Sequence, residues 1–208
     1  MPSFLVWFHF INNLTMDLVF ATHNQHKVHE MRAIAGPHWN IVSLHDLGCT
    51  EEIPETADSL QGNALQKARF VKDRYGINCF ADDTGLEIEA LNGRPGIYSA
   101  RYAGEHCSFA DNMNKVLAEM SGLTNRKACF KTVIALLWDD KTYFFEGRID
   151  GTIIEKPRGN AGFGYDPVFV PDGSDKTFAE MDESEKNRIS HRGLAIAKLL
   201  DFLDGLDK

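Results

Sequence analysis

The sequence has few cysteines, and they form no recognisable pattern. Its 208 residues contain four, at positions 49, 79, 107 and 129. No two of them stand at CxxC spacing, and no histidine lies at zinc-finger spacing from any of them. This spacing excludes a zinc finger and a disulfide-stapled scaffold. We therefore expect reduced thiols and a cytoplasmic protein.

Long hydrophobic runs are also missing. The apolar residues 1–15, MPSFLVWFHFINNLT, are too short to span a bilayer and lack a basic region and a cleavage site. We expect no export and no membrane partner. Because Met16 directly precedes a strand-like run, our hypothesis is that residues 1–15 are an extension upstream of a natural start at Met16. Residues 16–208 would then form a single two-lobed domain.

An excess of positive charge is absent too. The chain carries 22 Lys and Arg against 30 Asp and Glu, a net charge of -8. A nucleic-acid surface normally needs clustered basic residues, so we expect no nucleic-acid partner. An anionic ligand would need a local basic pocket. The 43% of apolar residues is typical of a globular protein with a substantial core.

Strand and helix patterns alternate along the chain. Strands are predicted at residues 17–21, 77–81, 86–88, 128–138 and 142–154, the last two paired through a turn at 139–141. Helices are predicted at 25–35, 59–75 and 109–120. A last helix places five apolar residues on one face: Ile189, Ile196, Leu199, Leu200 and Leu203. This order predicts an α/β fold on a mixed β-sheet flanked by helices.

Residues 22–27, Thr-His-Asn-Gln-His-Lys, follow the first strand and open the first helix. The free N–H groups and positive dipole at a helix start suit a phosphate, and Lys27 adds a full charge. The alternative is that Thr22 or Asn24 only caps the helix and Lys27 is solvated.

Asp82-Asp83-Thr84-Gly85 ends the predicted strand 77–81. Two adjacent carboxylates at a strand end concentrate negative charge, for which a hard cation is the natural partner. The alternative is an Asx-type turn between two strands, with a positive φ at Gly85.

Residues 159–167 form a loop rich in glycine. It carries Phe163 and Tyr165, either of which could stack on a planar base, and Asp166, which could position a polar group. An ordinary surface loop whose aromatic residues cover the core explains the stretch almost as well.

The chain segment 185–192 brings positive charge to the predicted last helix. Lys186, Arg188, His191 and Arg192 lie on its leading turns, where a solvated helix face is the simpler interpretation. Together with the phosphate-compatible segment, the acidic pair and the aromatic loop, however, the cluster indicates metal-assisted phosphoryl chemistry on a nucleotide.

Four motifs follow one another from about residue 16 to the C-terminus. They are Thr22-x-Asn24-x-x-Lys27, Asn63-Ala-x-x-Lys67-Ala, Ala81-Asp-Asp-Thr-Gly-Leu86 with residues 95–102 behind it, and Phe163-Gly-Tyr-Asp-Pro167 with Ser190-His-Arg-Gly193. In this order they resemble the inosine triphosphate pyrophosphatase family. The resemblance implies an elongated mixed sheet, two lobes around a central cleft and a homodimer. It also implies Mg²⁺-dependent hydrolysis of the purine nucleoside triphosphates ITP, dITP and XTP to a monophosphate and pyrophosphate.

The resemblance also implies roles for individual residues. Asp83 would accept the proton of the attacking water and bind the metal, with Asp82 or Glu55 as the second carboxylate. The phosphates would be neutralised by residues 22–27, Lys67 and Lys186. The full set of implied substrate-binding residues is Thr22, His23, Asn24, Gln25, His26, Lys27, Lys67, Thr84, Phe163, Gly164, Tyr165, Asp166, Lys186, His191 and Arg192.

Two positions depart from the family pattern. Gly62 stands where the family often has Glu, and His23 where it often has Gly. If that Glu is a metal or water ligand in relatives, Glu55 or Asp82 must replace it here, or water fills the gap. If the metal site is incomplete because of Gly62, the alternative is a non-catalytic nucleotide-binding module. A related Maf-type enzyme acting on modified nucleotides would lack the Phe163–Pro167 and Ser190–Gly193 motifs.

Overall fold

One mixed sheet lies at the centre of the protein, seen here in a computed structural model that describes residues 16–206. Its strand order is β2-β1-β3-β5-β6-β7, with β4 paired to β3 on the side. β1 runs parallel to β2 and β3, and all other pairs are antiparallel. The strands are β1 Met16–Phe20, β2 Trp39–Ser43, β3 Cys79–Ile88, β4 Pro95–Gly96, β5 Lys127–Trp138, β6 Lys141–Ile153 and β7 Phe169–Pro171. The predicted mixed sheet and the β5–β6 pairing are confirmed.

Helices flank the sheet on both faces. They are α1 Gln25–Ala35, α2 Leu60–Tyr75, α3 Phe109–Glu119, α4 Glu183–Ile189 and α5 His191–Leu206. Polar side chains start the first three: Asn24 accepts from two N–H groups of α1, Ser59 accepts from Gly62 N, and Ser108 forms a capping box with Asp111. The first three helices therefore match the predicted spans to within one residue.

Three clusters of buried apolar side chains divide the molecule into two lobes. One covers the sheet face under α1 and α5 with Leu18, Phe20, Met31, Phe80, Ile134 and Leu199. The opposite face packs under α2 with Val19, Ala64, Ala68, Val71, Ala81 and Ala135. The second lobe contains the far halves of β3 and β5 with α3 and β7, and its core includes Leu86, Ile88, Val116, Met120, Phe130 and Phe178. The predicted two-lobed architecture is confirmed.

Strand β3 corrects the sequence prediction. It does not end before Asp82 but runs unbroken through Asp83, Thr84 and Gly85 to Ile88, so no Asx turn exists there. Asp83 pairs with Val133 of β5 in regular antiparallel register. Gly85 is needed for close approach rather than for a positive φ, since a Cβ there would lie 2.7 Å from the carbonyl oxygen of Gly96. The acidic pair thus lies in mid-strand, between the cores of the two lobes.

The predicted last helix is two helices. α4 ends at Ile189, Ser190 is extended with ψ 155°, and α5 begins at His191. Ile189 consequently packs against the core of the second lobe, whereas Ile196, Leu199 and Leu203 of α5 pack in the first cluster with Leu18, Phe20 and Met31. The single apolar face proposed for all of these residues was wrong, because the break at Ser190 turns the chain.

Three other expectations concern the ends and the thiols. The interpretation of residues 1–15 as an extension lies outside the described residues. Within residues 16–206 no helix is long and apolar enough to cross a membrane. All four cysteines are free thiols, as predicted.

Candidate active site

The middle of β3 presents two carboxylates to opposite faces of the sheet, because neighbouring side chains of a strand alternate. Asp82 points to the face under α1 and α5 and is 1% exposed, and Asp83 points to the face under α2 and is 7% exposed. The two carboxylates therefore meet different partners.

Asp82 is held by two cations. Lys27 Nζ of α1 donates to its Oδ1 at 2.8 Å, and Arg192 Nε of α5 donates to its Oδ2 at 3.1 Å. Burial alone would raise the pKa of Asp82, but the charges of Lys27 and Arg192 hold it well below its usual range. Asp82 is therefore ionised, and its two oxygens tie α1 and α5 to the sheet. The alternative that Lys27 is a solvated surface residue was wrong.

A second buried ionic cluster lies behind this pair. Lys186 Nζ donates at 2.7 Å to both Glu30 and Asp166, and Arg192 Nη1 donates to Glu30. Burial would raise the pKa of Glu30, yet Arg192 and Lys186 lower it. The sequence reasoning missed Glu30, although its position three residues after Lys27 on the same helix face was a usable signal.

Asp83 has a different environment. Asn63 Nδ2 of α2 donates to its Oδ2 at 3.1 Å, the N–H of Thr84 donates to Oδ1 at 3.0 Å, and Lys67 Nζ lies 3.6 Å from Oδ1. Burial raises the pKa of Asp83 above its usual value despite the attraction of Lys67. Asp83 is thus a carboxylate of raised basicity with fixed orientation.

Glu55 reaches the same lysine from the loop before α2. It accepts a short hydrogen bond from Lys67 Nζ, and Arg101 Nη1 lies 3.3 Å from its other oxygen. Burial would raise the pKa of Glu55, but Lys67 brings it below its usual value. Glu55 and Asp83 therefore converge on Lys67.

Gly62 does not face this site. It lines a separate surface groove together with Ala57, and a Cβ at position 62 would lie 2.6 Å from the Cβ of Ala57. A glutamate here would not reach Asp83 without rearrangement of the loop. The departure from the family pattern at Gly62 consequently leaves the carboxylates of the site intact.

The aromatic glycine loop is wound around Asp166. Its Oδ2 accepts from the N–H of Phe163 at 2.8 Å, and a Cβ on Gly162, whose φ is +73°, would lie 2.1 Å from that oxygen. Lys186 Nζ lies 5.1 Å and Arg192 Cζ 5.4 Å from the centre of the Phe163 ring. The ring of Phe163 thus lies against the two cations of the buried cluster.

His191 begins α5 and is buried. Its ring stacks on Phe130 with centroids 4.5 Å apart, and its Nδ1 has no hydrogen-bond partner within residues 16–206. Burial and the nearby charges of Arg192 and Lys186 lower the pKa of His191 well below its usual value. The imidazole is therefore neutral and offers an unused polar atom to a ligand.

These groups surround one cavity of about 290 Å³. Of the predicted site residues, it is lined by Thr22, His23, Asn24, Lys27, Glu55, Lys67, Asp83, Thr84, Phe163, Gly164, Tyr165, Asp166, Lys186, His191 and Arg192. Three predicted residues are not among its walls: Gln25, His26 and Asp82. The cavity also has walls that the sequence reasoning did not select, among them Ser99, Phe109, Asn112 and Phe130. Lysine and arginine next to two carboxylates that line the cavity suit a polyanion bound with a metal ion.

Gly147 of β6 lies where the first turn of α5 packs closely against the sheet. A Cβ on Gly147 would lie 1.9 Å from the carbonyl oxygen of His191 and 2.6 Å from the nitrogen of Ala195. We expect Gly147→Ala to lower the free energy of unfolding by about 1–3 kcal/mol, because backbone must move to admit the methyl group. Urea denaturation measures this change.

Gly205→Ala is the matched control for that variant. It lies in α5, and a Cβ there meets nothing within 4 Å. Alanine in a helix is favoured over glycine by up to about 1 kcal/mol, so this variant should be unchanged or more stable. Equal losses in both variants would contradict a special role for position 147.

Comparison with known proteins places these features in context. The sequence model described as the Ham1 family matches residues 18–202. A dITP/XTP pyrophosphatase of Porphyromonas gingivalis is 58% identical over 187 residues, which are 89% of this chain and 96% of that protein. A dITP/XTP pyrophosphatase of Flavobacterium psychrophilum is 51% identical over 187 residues, 90% of this chain and 98% of that protein. The solved structure of the Staphylococcus aureus Ham1 protein superposes with a TM-score of 0.83 at 38% identity, covering 92% of this chain and all of that one.

Proposed function

The chain belongs to the Ham1 family, and from this premise we propose that it hydrolyses the deaminated purine nucleoside triphosphates ITP, dITP and XTP to the monophosphate and pyrophosphate. The observation that carries the proposal is a single cavity with two kinds of wall. At one wall the carboxylates of Asp83 and Glu55 meet Lys67, and at another Lys186 and Arg192 adjoin the ring of Phe163. A triphosphate with a metal suits the first wall, and a planar base suits the second.

A magnesium ion fits the carboxylates that face the cavity. Asp83 and Glu55 line it, whereas Asp82 is not among its walls. Residues 16–206 contain no group of three or more His, Cys, Asp or Glu side chains that could cage a metal, but magnesium is often bound by one or two carboxylates plus substrate phosphates. When bound, the ion would neutralise phosphate charge and polarise a phosphoryl oxygen. We propose Asp83 and Glu55 as its protein ligands.

Asp83 would take the proton of the attacking water. A carboxylate that lines the cavity can take a proton from a water beside it, and Asn63 and the N–H of Thr84 keep the carboxylate of Asp83 oriented. The water would attack the α-phosphorus, so that the bond between the α-phosphorus and the bridging oxygen breaks. Pyrophosphate leaves, and the nucleoside monophosphate remains.

The phosphates would be bound by the segment that opens α1 and by Lys67. Thr22, His23, Asn24 and Lys27 line the cavity beside Lys67. Lys67 would exchange its bond to Glu55 for a phosphate oxygen when substrate enters. A lysine suits this exchange because its ammonium is a point charge on a flexible stem.

The base would be recognised by the cluster behind Phe163. Lys186, which the resemblance assigned to the phosphates, lies against the ring of Phe163 instead. Like Arg192, it is a hydrogen-bond donor without acceptor capacity, which suits the 6-oxo group of hypoxanthine and xanthine. The 6-amino group of adenine would instead place a donor against a donor, leaving buried groups unpaired. His191 Nδ1, which lacks a partner within the described residues, would complete the contacts to the base.

Substrate profiling tests the proposal. We expect kcat/KM for ITP and XTP with Mg²⁺ to exceed that for ATP by at least about 10²-fold, since the donors of the base pocket reject an amino group. Pyrophosphate release measures turnover of ITP, XTP, GTP and ATP in parallel. If no purine triphosphate is turned over but ITP binds tightly, the protein is a nucleotide-binding module. Preferential turnover of modified pyrimidine nucleotides or 7-methylguanine nucleotides would indicate a Maf-type activity.

The homodimer and the cytoplasmic location complete the proposal. The homodimer rests on the resemblance of the four motifs to the pyrophosphatase family, and sedimentation equilibrium of the purified protein tests it. The cytoplasmic location is supported by four dispersed free cysteines, which are usual in a reducing compartment. The net charge of -8 speaks against a nucleic-acid partner.

A further inference from the structure

Phe109 is a large apolar side chain that remains 44% exposed. It is the first residue of α3, directly after the capping box that Ser108 forms with Asp111. Ser108 N and Oγ both lie within 2.8 Å of Asp111 Oδ2, so the start of the helix is well fixed. The second lobe therefore holds an exposed aromatic ring at a defined position on the wall of the active-site cavity.

Three rings from separate parts of the chain meet at this point. Phe163 lies 5.7 Å from Phe109, tilted by 44°, and His26 of α1 lies 5.9 Å from Phe109. His26 stacks on Phe163 at 5.0 Å with an angle of only 21°. The rings of His26 and Phe163 are thus nearly parallel, whereas the rings of Phe109 and Phe163 are farther apart and tilted relative to each other.

The cavity walls separate the roles of the rings. Phe109 and Phe163 both line the 290 Å³ cavity, whereas His26 lines a neighbouring cavity of about 240 Å³ on which Phe109 does not border. The other aromatic walls of the larger cavity are engaged elsewhere. Phe130 stacks on His191, and the hydroxyl of the buried Tyr165 donates to the carbonyl of Ser99 at 2.9 Å. Phe109 and Phe163 therefore lie side by side on the cavity wall, joined only by a wide, tilted contact.

We propose that Phe109 is the second stacking ring for the purine, which enters between Phe109 and Phe163. The proposal rests on the proposed function and adds a residue that the sequence motifs do not contain. Since Phe109 is half exposed, its side chain can rotate to admit the base. The backbone of Phe163, by contrast, is held in place because its N–H donates to the carboxylate of Asp166. In the free protein the two rings meet in a tilted contact at 5.7 Å, and in the complex the base takes the place of that contact.

Stacking by Phe109 predicts a specific kinetic signature. An aromatic ring contacts the face of the base and makes no contact with the phosphates, so it binds substrate and transition state equally. Its loss should raise KM and leave kcat nearly unchanged. Because every purine has the same π-face, the effect should be similar for ITP and XTP.

The test compares Phe109→Ala, Phe109→Tyr and Phe144→Ala in the full chain. Phe144 of β6 is a matched control, since it is an aromatic residue of 39% exposure that does not line the cavity. We expect KM for ITP and the dissociation constant of IMP, measured by calorimetry, to rise by about tenfold in Phe109→Ala. Phe109→Tyr and Phe144→Ala should both have the wild-type KM for ITP and the wild-type dissociation constant of IMP.

The outcomes separate the two proposals. An unchanged dissociation constant for IMP in Phe109→Ala, with a wild type that hydrolyses ITP, would overturn the role of Phe109 alone. A fall in kcat with unchanged KM would also overturn it, because the residue would then act on the chemical step or on the fold. A wild type that neither hydrolyses ITP nor binds IMP would overturn both proposals.

Discussion

Replacement of Asp83 by asparagine is expected to lower kcat for ITP hydrolysis by about 10²–10⁴-fold, the usual contribution of a general base. Asparagine has the same shape, and its amide oxygen can still accept from Asn63, which now donates to Asp83 at 3.1 Å. The variant should therefore stay folded while losing the carboxylate that takes the proton and helps to bind the metal. Pyrophosphate release at saturating ITP measures the loss.

The control for Asp83→Asn is Asp140→Asn. Asp140 is exposed in the β5–β6 turn and does not line the cavity. Its replacement by asparagine removes the same charge as Asp83→Asn. Its kcat should equal that of the wild type, and the thermal midpoints of the two variants should be alike. Wild-type turnover in Asp83→Asn would mean that another group accepts the proton and that the proposed mechanism is wrong.

Glu30→Gln is expected to lower the free energy of unfolding by about 3–5 kcal/mol at neutral pH, the usual cost of removing one partner from a buried ion pair. Glu30 is 8% exposed and accepts from both Lys186 and Arg192. Without its charge, the buried Lys186 and Arg192 and the half-buried Lys27 would face only Asp82 and Asp166. Urea denaturation at pH 7 measures the loss.

The destabilisation caused by Glu30→Gln should decrease as the pH falls. Because the folded protein lowers the pKa of Glu30, its contribution to stability is present above the unfolded value of about 4.3 and disappears as the pH falls through the folded value. The difference between wild type and Glu30→Gln should therefore shrink in acid. Glu51→Gln is the control, since Glu51 pairs with Arg74 at the surface with both side chains 49% exposed and should cost at most about 1 kcal/mol. Equal losses in the two variants would contradict a buried cluster centred on Glu30.

Local patterns were sufficient for much of the fold. The apolar stripe of α2 and the polar side chains that start α1, α2 and α3 depend on residues within one or two turns. Residues that line one cavity were also recognisable, since the four motifs supplied all but a few of its polar walls. The burial of Lys186 and Arg192 could not be predicted from the sequence, because buried and solvated basic helix segments have the same local pattern.

The errors have a common physical origin. Asp82 to Gly85 resembles a turn locally, but β3 continues because β5 pairs with each of these residues and because cations from α1 and α5 neutralise Asp82. Phe109 was missed because nothing within its own helix distinguishes a cavity wall from a surface phenylalanine. Both decisions depend on partners that are distant in the chain.

The order of strands and helices, the starts of α1, α2 and α3 and the family motifs could be derived from the sequence, since these depend on side-chain periodicity and on hydrogen bonds between near neighbours. The tertiary structure alone decided which charges are buried, which carboxylate faces the cavity and where the last helix breaks. The physical reason is that burying a charge is tolerable only beside an opposite charge. For Glu30 that charge lies 162 residues away, on Arg192.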